Sequence, residues 1–105
     1  MTFFVCRLIA PRPTFPFDMT EAERELMGRH AAYLHRHAED GKALLFGPVA
    51  DPKGPWGLGI FEVEDEETMR TIAAADPAVL ADAGFSYEIL PMMQAALGKR
   101  VRPGV

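Results

Sequence analysis

The chain has 105 residues, of which 49% are hydrophobic, and a formal net charge of −4. That is the size of one small domain spanning 1–105, which buries only roughly two-thirds of its unfolded-chain surface and so has apolar side chains to spare for a second copy. A mildly acidic chain without a basic run argues against nucleic acid as the main partner, and no apolar stretch approaches the ~20 residues that span a bilayer.

Thr2 to Ile9 is rich in Phe, Val, Leu and Ile and too short for a typical helix, so it reads as a first strand. The opening MTFFVCRLIAPRP lacks a basic leader segment and is interrupted by Arg7, unlike a signal peptide. Cys6 is the single cysteine, which leaves no intrachain disulfide and no cysteine metal cluster; it reads as a small buried hydrophobe and fits a reducing cytoplasm. Both faces of this strand are apolar, Phe3, Val5 and Ile9 on one and Phe4, Cys6 and Leu8 on the other, so it wants cover on both sides. Pro11, Pro13 and Pro16 form a stiff connection.

Thr20 with Glu23 is a capping box, and the helix it opens runs to about Asp40, with Gly41 as its stop. Ala43 to Phe46 is a short apolar strand closed by Gly47 and Pro48. ADPKGPWG is a turn-rich connection. Trp56 to Val63 is a third strand in which Trp56, Leu58 and Ile60 alternate with Gly57, Gly59, Phe61 and Val63. Asp65 or Glu66 opens a second helix through Ala75, which Asp76-Pro77 breaks because the residue before proline avoids helical angles. A helical turn, Pro77 to Asp82, precedes Gly84. Phe85 to Leu90 is the last strand, and the tail after about residue 92 carries no clear pattern.

The order β-α-β-β-α-β predicts an α+β, ferredoxin-like subunit, with two helices covering one face of a four-stranded sheet. The other face stays apolar and open, and a homodimer packed sheet face on sheet face is the simplest cover for it.

All three histidines fall on the first helix. At ~100° per residue, Leu26, Met27, His30, Tyr33, Leu34 and His37 share one stripe, and His35 points to water. His30 and His37 are two turns apart, about 10.5 Å along the axis, too far for one metal ion, so no metal site is expected. His30, set among apolar neighbours, is either a core histidine satisfied by a carbonyl or carboxylate, or a general acid/base whose ring a carboxylate fixes. On the residues alone the first reading is preferred. Asp76 is the candidate partner, although it also suits the N-cap of a short helix opened by Pro77. The role of His37 stays open.

His30 followed by Tyr33-Leu34, Gly41, Gly47-Pro48-Val49, the strand WGLGIF, and Asp76-Pro77 followed by Ala83-Gly84-Phe85 resemble, in order and spacing over residues 2 to 93, the YCII-related family of small dimeric α+β barrel proteins. RPTFPFDMT and GFSYEILPM look like one bacterial branch of it. The resemblance implies a dimer and an active site at His30 and Asp76, and it reverses the preference for a structural His30. Family activities are poorly defined. A related member is a dehydrochlorinase of chlorinated aromatic breakdown, and muconolactone isomerases share the fold, chemistries that move protons on small oxygenated rings without a metal or organic cofactor.

Other residues are candidates for a pocket wall. Arg7 lies mid-strand, where a charge needs a ligand or a partner such as Glu88. Arg12 is placed to reach an anionic substrate or to be a solvated loop residue. Tyr33 is a donor to substrate or part of the core, and Gly47 and Pro48 shape a wall or end a strand. Ser86 has no base beside it, and GPWGLG lacks the lysine of a phosphate loop. The expectation is a cytoplasmic homodimer acting on a small polar or aromatic molecule by proton transfer, as a lyase or isomerase. The alternatives are a non-catalytic ligand-binding or accessory dimer and a purely structural dimer.

Overall fold

The computed structural model describes residues 1–99; the end of the tail, residues 100–105, lies outside the described residues. Strand β1 is Thr2–Ile9, helix α1 Glu21–Glu39, β2 Ala43–Val49, β3 Trp56–Val63, α2 Glu66–Ala74, α3 Pro77–Leu80 and β4 Ser86–Pro91. A single 3-10 turn, Phe15–Phe17, interrupts the proline-rich connection. Residues 92–99 have no regular secondary structure.

The four strands form one sheet in the order β2-β3-β1-β4. Every neighbouring pair is antiparallel. The fold is α+β and ferredoxin-like, as the element order predicts. Alternation sorts the side chains between the two faces. Phe4, Cys6 and Leu8 of β1 and Phe61 and Val63 of β3 are buried. All of these but Leu8 pack with Leu34 of α1 and with Met69 and Ile72 of α2.

Local chemistry fixes the helix ends. Thr20 Oγ1 accepts from the Glu23 N–H at 3.1 Å, and Glu23 Oε1 accepts from the Thr20 N–H at 2.8 Å, closing the capping box at the start of α1. Asp65 caps α2 by accepting from the Thr68 N–H at 2.9 Å. Gly41 takes the left-handed conformation, φ 77°, that stops α1.

One boundary differs from the sequence expectation. Gly47 and Pro48 do not close β2; they pair within it, Gly47 with Leu58 and Pro48 with Gly57. The strand lies at the sheet edge, where a residue without an N–H costs no ladder bond if that side faces outward.

The sheet face away from the helices is uncovered. Leu45 is 60% exposed and Leu90 50%, and in register they flank Ile60 and Val5 respectively. Among the described residues, no helix is long and apolar enough to cross a membrane.

Candidate functional site

Three elements bring one polar cluster together beneath α1. His30 comes from the middle of the apolar stripe of α1. Asp76 stands between α2 and α3 with extended backbone, φ −63° and ψ 129°, and Pro77 follows it at the first helical position. Tyr87 points inward from β4, where it pairs with Leu8 of β1.

Asp76 is fully buried. A buried carboxylate needs donors on its lone pairs, and it has three. His30 Nδ1 lies 2.8 Å from Oδ2 and 3.0 Å from Oδ1. The Tyr87 hydroxyl donates to Oδ2 at 2.6 Å. The Ala78 N–H donates to Oδ1 at 2.9 Å, which makes Asp76 the N-cap of α3 as well. Burial works against the charge of Asp76, but the hydrogen bonds from His30, Tyr87 and Ala78 outweigh it and hold the carboxyl below the usual range. Burial, then the bond to Asp76 and its charge, push the Tyr87 phenol far up, so it stays protonated.

These states set the histidine tautomer. An ionised carboxylate only accepts, so Nδ1 of His30 carries the proton and donates it. Nε2 is then the unprotonated nitrogen of the neutral ring, and among the described residues no hydrogen bond engages it.

His30 also lines a cavity of about 440 Å³, within the ~300–1,000 Å³ usual for small-molecule sites. Its walls come from four places. The proline-rich connection gives Phe15, Pro16 and Met19; α1 gives Met27, His30 and Leu34; β2 gives Phe46, Gly47 and Pro48; β4 and the residue before it give Tyr87 and Phe85. Gly57 and Gly59 of β3 form the floor. A Cβ on Gly59 would stand 3.0 Å from Cε1 of Phe61, and one on Gly57 would stand 3.3 Å from Cβ of Leu8. Their missing side chains keep this part of the sheet low.

The remaining candidates are engaged elsewhere, and none of Arg7, Arg12 and Tyr33 lines the cavity. Arg7 donates to Glu88 Oε1 at 3.1 Å, and its guanidinium stacks 4.4 Å from the Trp56 ring centre. The two residues are direct cross-strand partners, and alternation puts them on the uncovered face. Arg12 clamps both oxygens of Glu23 at 2.8 Å and Asp18 Oδ1 at 2.8 Å. The Arg12 hydrogen bond, then the bond from the Thr20 N–H, hold the Glu23 carboxyl down at about 2. Arg12 thus straps the proline-rich wall to the start of α1. Tyr33 donates to the Ile72 carbonyl at 2.7 Å, at the end of α2.

His35 is exposed and packs edge-on against Phe46. His37 packs edge-on against Tyr33, with ring centres 4.8 Å apart, and burial, then the Lys42 charge, lower its pKa.

Tyr87 is the site residue that sequence reasoning missed. Its signal was the alternation of Phe85, Tyr87 and Ile89 toward the helices, together with the demand of a buried acid for more than one donor. The contribution of Phe15, Pro16 and Met19 left no comparable signal, because it depends on how the Arg12 strap folds the connection back.

Comparison with known proteins bears on the whole chain. No significant match is found among curated proteins. A solved structure, 5-chloro-2-hydroxyhydroquinone dehydrochlorinase (TftG) from Burkholderia phenoliruptrix AC1100 in complex with 2,5-dihydroxybenzoquinone, is similar in fold, with a TM-score of 0.59 at 20% identity over 95% of this chain and 98% of that one. The YCII-related domain profile matches residues 3–93. The protein therefore belongs to the family of YCII-related domains.

Proposed function

We propose that the protein is a small-molecule enzyme of the lyase or isomerase type in which His30 and Asp76 carry out proton transfer on a ring compound. The observation that carries this reading is the His30 ring itself. Nδ1 is held by a buried carboxylate at 2.8 Å, while the same side chain lines a cavity of ligand size. The free Nε2 thus belongs to a ring that is both oriented by a carboxylate and open to a cavity, which a packing role alone does not require.

In the proposed reaction Nε2 takes a proton from an acidic ring position. In the isomerase form it returns that proton at another atom; in the lyase form a leaving group such as chloride departs with its bonding electron pair while the proton passes from Nε2 to water. Asp76 remains ionised, keeps Nδ1 protonated, and opposes the positive charge the ring acquires. Tyr87 holds the carboxylate in place. Gly47 and Pro48 act as wall residues; Arg7, Arg12 and Tyr33 have no place in the proposed contacts. The solved relative that acts on a chlorinated hydroxyhydroquinone supports a hydroxylated ring as the substrate class at a coarse level.

The functional unit is proposed to be a homodimer joined through the uncovered sheet face, where Val5, Ile60 and Leu90 meet in register. A cytoplasmic location is proposed from Cys6, whose thiol burial pushes up to about 11, a packing group rather than a disulfide former.

The test is proton exchange. Hydroxylated rings, including 5-chloro-2-hydroxyhydroquinone, are incubated with the protein in deuterated water and followed by NMR and chloride release. Exchange or chloride release by the wild type that is lost in His30→Ala is expected. Binding without either reaction makes the protein a ligand-binding dimer instead.

A further inference from the structure

We infer that the cavity selects neutral, flat rings with one polar edge and rejects carboxylated ones. The inference rests on the proposal that this cavity is the ligand site and adds the charge of what enters it.

Among the described residues, no Lys, Arg, Asp or Glu side chain lines the cavity. Arg7 and Arg12, the arginines closest in sequence to Leu8 and Phe15 of the wall, are paired, Arg7 to Glu88 and Arg12 to Glu23 and Asp18. A carboxylate in the cavity would therefore lose water without gaining a cation, which is costly.

The polar cluster does not supply that cation either. Asp76 lies directly behind His30, so the pair carries a charge of −1 with a neutral ring and zero with a protonated one. An entering anion meets repulsion from the pair with a neutral ring, and with a protonated ring it meets only one N–H whose charge Asp76 already offsets.

The walls define the rest of the ligand. Phe15 and Phe85 meet edge to face with ring centres 5.1 Å apart, and Phe46, Leu34 and Met27 continue the apolar surface. The polar tips of the other wall residues are occupied: Tyr87 donates to Asp76, and Trp56 Nε1 donates to Asp51 at 3.0 Å. Nε2 of His30 is the one free side-chain polar group in the wall among the described residues. A ring that presents a hydroxyl or an acidic C–H to it and apolar or halogen-bearing edges elsewhere matches this distribution.

The test uses three probes and the wild-type chain. Resorcinol, 3,5-dihydroxybenzoate and the methyl ester of that acid are titrated at pH 7.5 by calorimetry, with the His30 ring followed by ¹⁵N NMR to place the binding. Resorcinol and the ester are expected to shift the His30 signals and to bind at least about tenfold more tightly than the acid. The acid binding as well as resorcinol overturns the inference. So does rejection of the ester, which would assign the selection to size, and so does a His30 ring unmoved by all three. Because binding is read rather than turnover, a protein that binds resorcinol and transforms nothing keeps this inference and loses the proposed reaction. One that transforms a carboxylated ring does the reverse.

Discussion

The Tyr87 hydroxyl donates to Oδ2 of Asp76 at 2.6 Å, on the same oxygen that lies 2.8 Å from His30 Nδ1. The central sheet and the helix layer thus grip one carboxylate from two sides. The orientation of His30 depends on a strand with which it shares no hydrogen bond.

Tyr87→Phe removes that grip without opening a large cavity. Its stability cost is expected at about 1–3 kcal/mol, the loss of one donor to a buried charged group, read from the midpoint of urea unfolding. His30 should then sample more than one ring orientation, visible as broadened ¹⁵N signals. Unchanged stability and unchanged signals would show that the ring is held without Tyr87.

The acid limb of stability follows from the lowered pKa of Asp76. A carboxylate whose folded pKa lies below its unfolded value, about 3.9, stabilises the fold fully above that value; the contribution is lost as pH falls through the folded pKa. Between about pH 4 and pH 2 the wild type should therefore lose stability more steeply than Asp76→Asn, which has no proton to take up. Parallel slopes in urea titrations across that window would count against an ionised Asp76.

His30→Ala and Asp76→Ala should differ in cost. Removing His30 leaves Asp76 two donors, Tyr87 and the Ala78 N–H, and opens a gap toward the cavity that water can fill, so the low end of the range for a lost donor, about 1 kcal/mol, is expected. Removing Asp76 strips the cap of α3 and orphans donors from three elements, the Ala78 N–H buried and those of His30 and Tyr87 part-buried, and about 3 kcal/mol or more is expected. Thermal unfolding of the pair checks the order. A costlier His30→Ala would return His30 to a structural role.

Val5→Glu places a charge at the centre of the uncovered sheet face, between Ile60 and Leu90. The wild type is expected to sediment as a dimer and the variant as a monomer with an intact fold. A monomeric wild type would remove the proposed interface.

Much of this was legible because it is local. The Thr20–Glu23 box marks the start of α1, and the stripe from Leu26 to His37 identifies its inner face. Arg7 and Glu88, each a lone charge in mid-strand, declared their pairing. Asp76 was legible twice, as a cap and as a partner for His30, and the structure shows both contacts from one side chain. What escaped was long-range. Pro48 looked like a terminator because proline punctuates most strands, and only the strand order shows that β2 is an edge where proline is tolerated. Arg12 looked free because Asp18 and Glu23 reach it only after the connection folds back onto α1.

The placement of Pro48 also bears on the proposed homodimer. An outer strand with every N–H available templates further strands, and assemblies built that way grow without limit. Here one border carries Pro48 and an irregularity in register between Ala43 and Leu45, and the other ends at Pro91. Both borders resist ribbon-like polymerisation, which favours the greasy flat side for the proposed self-association. Contact through that side closes after two molecules.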